Sequence, residues 1–550
     1  MASYLSNQAF KYLFLNFFMN SNPSLNTDKS DINELSSGEN LSYWVESTEP
    51  LIYNTLENDI TTDVLVIGAG ISGLTTAYCL LEAGRNVVVV EDGFVGSGES
   101  GRTTAHLTYA LDDRYYELEK IFGEHKTMLA GNSHAAAIEF IFRTVKLENI
   151  ECDLRRVDGY LFLSANDKKE TLEKEYESTK KMGLMTEMLS EIPAIQAEDG
   201  QWCIKFPDQG QLHILKYLKG LSEAIIRKGG KIYTQTKATD IDKKGAKANG
   251  YSIKADHIVV ATNTPINDMV TMHTKQWPYR TYVIGGLIKK GTLPYSLWWD
   301  TGDTESRWIT DPYHYVRLVE HNEEYDLLIA GGEDHKTGQA DDENIPEANR
   351  YHRLIEWTRK RFPSLEKINY KWSGQVMEPV DDLAFIGRNP GDENIYIITG
   401  DSGNGMTHGT IGGMLITDLI CGNKNDLEDI FSPSRVSMHT TKDYLHEVSN
   451  MSAQYVDWIS PGDVKDADSL IAGQGGIVSS GLKKTAVYRD ENNMLHAFTA
   501  VCPHLGCIVQ WNGDEKTFDC PCHGSRFTKE GKVINGPAIH DLKKVAIKNE

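Results

Sequence analysis

Asp63-Val64-Leu65-Val66-Ile67-Gly68-Ala69-Gly70-Ile71-Ser72-Gly73, with helical spacing from Leu74 to Glu82 and then Val87-Val88-Val89-Val90-Glu91-Asp92, is the stretch that decides the fold. An apolar strand runs into three glycines spaced G-x-G-x-x-G, and a helix follows. Alone, that glycine spacing is a weak signal. Here a strand precedes it, a helix follows it, and Glu91 stands eighteen residues past the third glycine, which completes a dinucleotide-binding unit on a parallel sheet. Gly68 permits the tight turn, Gly70 lets backbone approach a pyrophosphate, and Gly73 lets helix and strand pack. Ala69, Ile71 and Ser72 fill the turn, whose helix N-terminus offers phosphates about half a positive charge. Glu91, with Asp92 beside it, is placed to accept hydrogen bonds from an adenosine ribose.

That unit does not choose between NAD and FAD. The next stretch does: Gly96-Ser97-Gly98-Glu99-Ser100-Gly101-Arg102-Thr103-Thr104-Ala105-His106. It resembles the loop that covers the pyrophosphate and reaches toward the flavin in D-amino-acid oxidase-like (glycine oxidase-type) FAD-dependent oxidoreductases. Far along the chain, the strand Ile395 to Thr399, the glycine-rich turn Gly400 to Gly405 and the helix from Met406 to Ile420 resemble the family's last flavin-binding unit, with Gly405, Met406 and Thr407 at the matching positions. His257 to Asn263 supplies an intermediate strand and turn, with Ala261 and Thr262 at the cofactor. The resemblance runs from about Thr61 to Gly422 and implies FAD. The late glycine cluster is not followed by a strand ending in an acid, so one dinucleotide site is expected and no NAD(P)H site.

Between these pieces, Tyr115 to Phe122, Ala135 to Leu147, Glu170 to Leu184 and Asn349 to Phe362 have helical patterns. Val283 to Lys289, Ser306 to Pro312, His314 to Val319 and Tyr325 to Gly331 read as strands of an antiparallel sheet that roofs the flavin. Arg280 beside Tyr279, or Arg317 beside Tyr315, has the chemistry to clamp a substrate carboxylate, although an ion-pair role is the commoner one for such arginines. His106 and His408 lie in flavin-facing stretches, as acid-base candidates or as hydrogen-bond spacers.

Near the C-terminus stand Cys502-Pro503-His504-Leu505-Gly506-Cys507 and Cys520-Pro521-Cys522-His523-Gly524-Ser525. Each loop offers a sulfur and a nitrogen, and together they suit a 2Fe-2S centre with two thiolates on one iron and two imidazoles on the other. Neutral imidazoles in place of anionic thiolates ease reduction: such centres span roughly −150 to +300 mV, against about −400 mV for all-thiolate plant-type ferredoxins. Tetrahedral zinc also accepts Cys and His at short spacings, but it does not call for the extra Cys507 and Cys522 or for the turn at Gly536 to Ala538. The stretch from about Ile459 to Glu550 closely resembles the Rieske family. That resemblance implies Cys502 and Cys520 on one iron, His504 and His523 on the other, and a Cys507–Cys522 disulfide tying the loops. It also places Ser525 at a hydroxyl that hydrogen-bonds toward the cluster. Phe527 stands where high-potential members carry tyrosine, which implies a lower midpoint than theirs.

The formal charge of −22 over 550 residues argues against a nucleic-acid partner and an anionic membrane surface. No run approaches the ~18 apolar residues of a membrane-spanning helix. Only four cysteines in 550 residues lie outside the cluster loops, which points to a reducing, cytoplasmic setting. Tyr12 to Met19 is too short and interrupted for an export signal, and Met19 is an alternative start.

The expected architecture is an α/β Rossmann-like FAD-binding domain with an inserted antiparallel-sheet substrate domain, then a small all-β domain. The divisions are a mobile leader over 1–58 that clips on through Tyr43-Trp44, an oxidoreductase domain over 59–431, a linker and helix over 432–458, and the cluster domain over 459–550. Within 59–431, the FAD segments are about 61–110, 205–265 and 376–422, and the substrate segments 111–204 and 266–375. The leading functional reading is an amine or amino-acid dehydrogenase passing electrons from reduced flavin to the fused cluster and on to an external acceptor. An electron-transfer component supplying an oxygenase, and a redox sensor without turnover, are the alternatives.

Overall fold

The structure is a computed structural model that describes residues 37–546 apart from 166, 196–201, 268–269, 303–312, 340–346, 437–440 and 482. The strand expected at Ser306 to Pro312 lies outside the described residues.

Strand Ile60–Ile67 is flanked by parallel partners, Tyr251–Val260 on one side and Val87–Val90 on the other. Ile395–Thr399 and Lys231–Tyr233 extend the sheet in parallel, and Phe385–Arg388 closes one edge antiparallel. Strands buried on both faces read as unbroken apolar runs, which is why Val64 to Ile67 and Val87 to Val90 carry no polar residue. Helices Ile71–Glu82 and Gly405–Cys421 pack together on one face of this sheet.

A second, nine-stranded sheet runs in the order 368–379, 276–289, 325–336, 315–320, 297–300, 155–162, 203–211, 106–107, with 187–189 also on 203–211. It is not wholly antiparallel as expected: Leu297–Asp300 runs parallel to Arg155–Phe162. These strands belong to different sequence segments, so no hairpin fixes their relative direction. Cys203–Gln211 and Ile368–Pro379, which overlap the starts of the expected second and third FAD segments, pair into this sheet.

The described part of the leader is an ordered strap. Ser42 caps the short helix Tyr43–Glu46, Trp44 is fully buried against the His213 ring at 4.8 Å, and its Nε1 donates to Thr103 O at 2.6 Å. Burying one such indole is worth on the order of 3 kcal/mol. Beyond helix Thr441–Ala453, two small antiparallel sheets, 475–499 with three strands and 510–535 with four, form the C-terminal domain. No helix among the described residues is long and apolar enough to cross a membrane.

Candidate functional site

The glycine turn opens a cavity of about 840 Å³ lined by Gly68, Gly70, Ile71, Ser72, Glu91 and Asp92 at one end. Gly68 has φ +104°, and a Cβ there would lie 2.4 Å from Ala261 O. A Cβ on Gly73 would fall 1.9 Å from Gly68 O, so Gly73 is the helix–strand contact and does not line the cavity. Gly70 gives helix Ile71–Glu82 no side-chain cap, the first amide donates to Ser100 Oγ at 3.0 Å, and Gly70, Ile71, Ser72 and Ser100 at this N-terminus line the cavity. Glu91 lines the cavity while accepting from Ala69 N (2.7 Å), Gly93 N (3.0 Å) and Ser97 Oγ (3.3 Å). Burial, reinforced by Asp92, lifts its pKa to about 8.

Thr103, Thr104, Ala261, Thr262, Gly405 and Met406 all line the same cavity. Three of the expected side chains make their contacts elsewhere, although Arg102 also lines the cavity. Arg102 turns its guanidinium toward the C-terminal domain, donating to Ser373 O at 2.6 Å, Asn40 O at 3.1 Å and Glu515 Oε1 at 3.4 Å. Thr407 Oγ1 meets His134 Nδ1 at 2.7 Å, and His408 Nδ1 meets Asp401 O at 2.8 Å. The two rings stack edge-on behind the first turn of the helix, 4.5 Å apart. Burial holds His408 down at about 4, so it stays neutral.

His106 does line the cavity, with Nδ1 on Thr104 Oγ1 and Nε2 on Val316 O. Burial and the Arg317 charge push it down to about 3, the behaviour of a neutral hydrogen-bond spacer. Neither candidate arginine lines the cavity. Arg317 donates to Thr104 O, Ala105 O and Leu212 O, pinning the flavin loop. Arg280 is 1% exposed and outside the cavity. Burial opposes its charge, but Asp519, Glu515 and Glu99 outweigh that cost and hold its pKa above the usual arginine value. Its place on strand Gln276–Lys289 faces the other domain, which residue order alone does not reveal.

What the sequence reading missed is acidic. Asp112, Asp113, Glu378 and Asp401 converge on the turn Ser402-Gly403-Asn404, and Asp334 lies along the same cavity with Trp299, Tyr313 and Tyr315. Ser402 Oγ is 2.6 Å from Asp113 Oδ2 and 2.8 Å from Glu378 Oε2. One hydroxyl proton serves only one of them, so the second contact requires a proton on a carboxyl. Burial raises Asp112 to about 8, Asp113 to about 6, Asp401 to about 6 and Asp334 to about 7, and lifts Glu378 well above its usual value. Of the basic residues along the wall, Arg114 is occupied by Leu111 O and Asp300 O. The adjacent acids at 112–113, directly after the apolar Tyr109-Ala110-Leu111, were the available signal.

In the C-terminal domain two tight loops face each other. Cys502 N donates to Cys507 O at 2.8 Å, Cys520 N to Ser525 O at 2.8 Å, and the Cys507–Cys522 disulfide joins the loops with Cα atoms 6.4 Å apart. The sulfurs of Cys507, Cys520 and Cys522 lie within 4.8 Å of one another. Because two of these are spent in the disulfide, the donors left for a metal are Cys502, Cys520, His504 and His523. The Cys502 and Cys520 thiols are buried and hydrogen-bonded to each other, and the His504 and His523 rings are 4.9 Å apart at 89°. Two sulfurs and two imidazoles converging from opposed loops fit a 2Fe-2S cluster. Ser525 Oγ reaches the Cys502 thiol and accepts from Ala538 N, while Phe527 is fully buried and offers no hydroxyl.

The two sites share a wall. Val533, Ile534, Asn535, Gly536, Ala538 and Ile539 of the C-terminal domain line the flavin-domain cavity. His273, also unforeseen, is 1% exposed and places its ring 5.0 Å from that of His504 and 5.9 Å from that of His523.

Comparison with known proteins accords with both sites. Residues 63–419 match the family model of FAD dependent oxidoreductases, and 460–546 match that of the Rieske 2Fe-2S domain. A Bacillus subtilis protein named for a Rieske 2Fe-2S iron-sulfur centre, YhfW, is 31% identical over 514 residues, covering 92% of this chain and 97% of that one. Gamma-glutamylputrescine oxidoreductase of Escherichia coli is 30% identical over 387 residues, covering 68% of this chain and 86% of that one. Among solved structures, glycine oxidase from Geobacillus kaustophilus superposes with a TM-score of 0.56 at 18% identity, over 68% of this chain and 99% of its own, a likeness of fold.

Proposed function

The chain belongs to the FAD dependent oxidoreductase family and carries a Rieske 2Fe-2S domain behind it, and from that premise we propose that it dehydrogenates a small cationic amine and delivers the electrons through its own cluster to an external one-electron carrier. The observation that carries the substrate class is the acidic cavity end: Asp112, Asp113, Glu378, Asp401 and Asp334 with Trp299, Tyr313 and Tyr315, and neither candidate arginine clamp inside it. An ammonium group gains from carboxylates and aromatic faces in such a site, whereas the carboxylate of an amino acid is repelled. The Escherichia coli relative is named for gamma-glutamylputrescine, an amine, which agrees with this chemistry.

Oxidation breaks the C–H bond next to nitrogen and removes a proton from nitrogen, leaving an imine that water hydrolyses. FAD held along this cavity would supply the two-electron acceptor, and a 2Fe-2S cluster held by Cys502, Cys520, His504 and His523 would supply the one-electron relay. The protein holds the amine, excludes water and accepts the ammonium proton. A carboxylate raised toward neutrality, such as Asp112 at about 8, is matched to that last task.

The test is anaerobic flavin bleaching by a panel of diamines, monoamines and amino acids, with Asp113→Asn alongside, since Asp113, at about 6, is the ionised member of the pair on Ser402. Cationic amines should bleach the flavin, and the variant should lose about 10- to 100-fold in kcat/KM for them, the worth of about 1.5–3 kcal/mol for a charged hydrogen bond. Equal bleaching by glycine or proline, with no effect of the variant, would sink the substrate class.

A further inference from the structure

The histidine pair of the cluster site is sealed. His504 is 8% exposed and His523 3%, and the group packed against both rings is His273, on the single turn Met272–Thr274 of the flavin domain. The seal is built from several elements. Gln375 Nε2 donates to Gly524 O at 3.1 Å, and Gln339 Nε2 to Pro521 O at 3.1 Å. A Cβ on Gly524 would stand 2.5 Å from Pro278 Cβ. Thr262, Asn263 and Ile266 line the flavin cavity, and His273 follows seven residues after Ile266. A short piece of chain therefore begins at the flavin cavity and ends on the two imidazoles.

We propose that His273 is the positioning residue through which the flavin domain closes over the histidine edge of the cluster, so that flavin electrons enter at that edge and external carriers are kept from it. This rests on the electron flow proposed above. Each substrate oxidation yields two electrons. The first reduces one ferric iron to ferrous, and the second follows after the external one-electron carrier has taken the first. Contact between packed rings is what the step needs from His273, so an aromatic ring without nitrogen should serve in its place.

The experiment uses the full-length holoprotein, its His273→Ala variant and its His273→Phe variant, with FAD and iron contents measured for each. Diethyl pyrocarbonate modification of His504 and His523 is mapped by peptide mass spectrometry, and single-turnover transfer from reduced flavin to cluster is followed by freeze-quench paramagnetic resonance. Wild type and His273→Phe should protect both histidines. His273→Ala should expose them and slow transfer about tenfold or more, the scale of loss when a reacting pair is displaced. Rapid modification of wild type, or an alanine variant as protected and as fast as wild type, overturns the inference. If the alanine variant fails to assemble a cluster, the phenylalanine variant decides, and exposure or slow transfer there overturns it. A wild type whose substrate-reduced flavin never reduces the cluster refutes the electron flow instead, and the modification result still judges the contact.

Discussion

Glu515 is the carboxylate on which the domain seam turns, and replacing it with alanine should undock the cluster domain. Its side chain is 1% exposed. Oε1 accepts from Ser373 N at 3.1 Å, from Ser373 Oγ and from Arg102 Nη1 at 3.4 Å, and Oε2 accepts from Asn40 N at 3.2 Å. Every one of these donors lies outside the C-terminal domain. Burial opposes the charge, yet Arg102, Arg280 and Arg526 together outweigh it and keep Glu515 below the usual carboxylate range. Removing one partner of a buried ion pair costs about 3–5 kcal/mol, because the charge left behind is uncompensated. At about 1.4 kcal/mol per factor of ten, a cost of about 4 kcal/mol raises the undocked population roughly a thousandfold. Glu515→Gln should cost about half as much, since it keeps one acceptor oxygen but turns an amide toward a donor. Denaturant titrations that follow flavin fluorescence and cluster absorbance separately should coincide in wild type and split in Glu515→Ala. A double variant, Arg102→Met with Glu515→Leu, should recover only part of the loss, since Arg280 and Arg526 stay buried without Glu515. Coincident transitions in Glu515→Ala, or a loss below about 1 kcal/mol, would refute the reasoning.

Further outcomes follow from the two sites. Gly73→Ala places a methyl group 1.9 Å from Gly68 O, and should abolish FAD retention while leaving the cluster's paramagnetic resonance spectrum in place. Flavin-free protein should melt lower at about pH 8 than at about pH 5.5. Asp112 and Glu91 titrate near 8 when folded but near 4 when unfolded, so the folded state binds more protons and stability falls as pH rises through that interval. Asp112→Asn should flatten part of that slope in differential scanning calorimetry. Cys507→Ser, which removes the Cys507–Cys522 bond, should leave flavin content unchanged and speed cluster loss under mild reductant, read by absorbance.

The parts legible in the sequence are those whose chemistry is local. The turn Gly68 to Gly73 needs glycine for close approaches within one strand–turn–helix unit, and the cluster ligands lie within two short loops, so residue spacing alone carries both. Contacts between distant segments were not legible. Tyr43-Trp44 marked the clip of the leader, but its partners Thr103 and His213 lie far along the chain, so the polar stretch around it looked mobile. Arg102 and Arg280 read as cofactor or substrate ligands because arginine beside a flavin loop or a tyrosine suits both roles. Only the docking of the cluster domain shows Arg102 paired with Glu515 and Arg280 held among the seam's carboxylates. The acids around Ser402 come from three separated stretches, and a parallel strand pair inside an otherwise antiparallel sheet leaves no mark on residue periodicity.

The most direct test of intramolecular transfer from flavin to cluster is a rapid-freeze paramagnetic resonance series after anaerobic mixing of the holoprotein with a bleaching amine, repeated over a wide range of protein concentration. With transfer inside one chain, the reduced-cluster signal follows flavin bleaching at a rate independent of protein concentration. A cluster that stays oxidised while the flavin bleaches, or one reduced at a rate proportional to protein concentration, would contradict it.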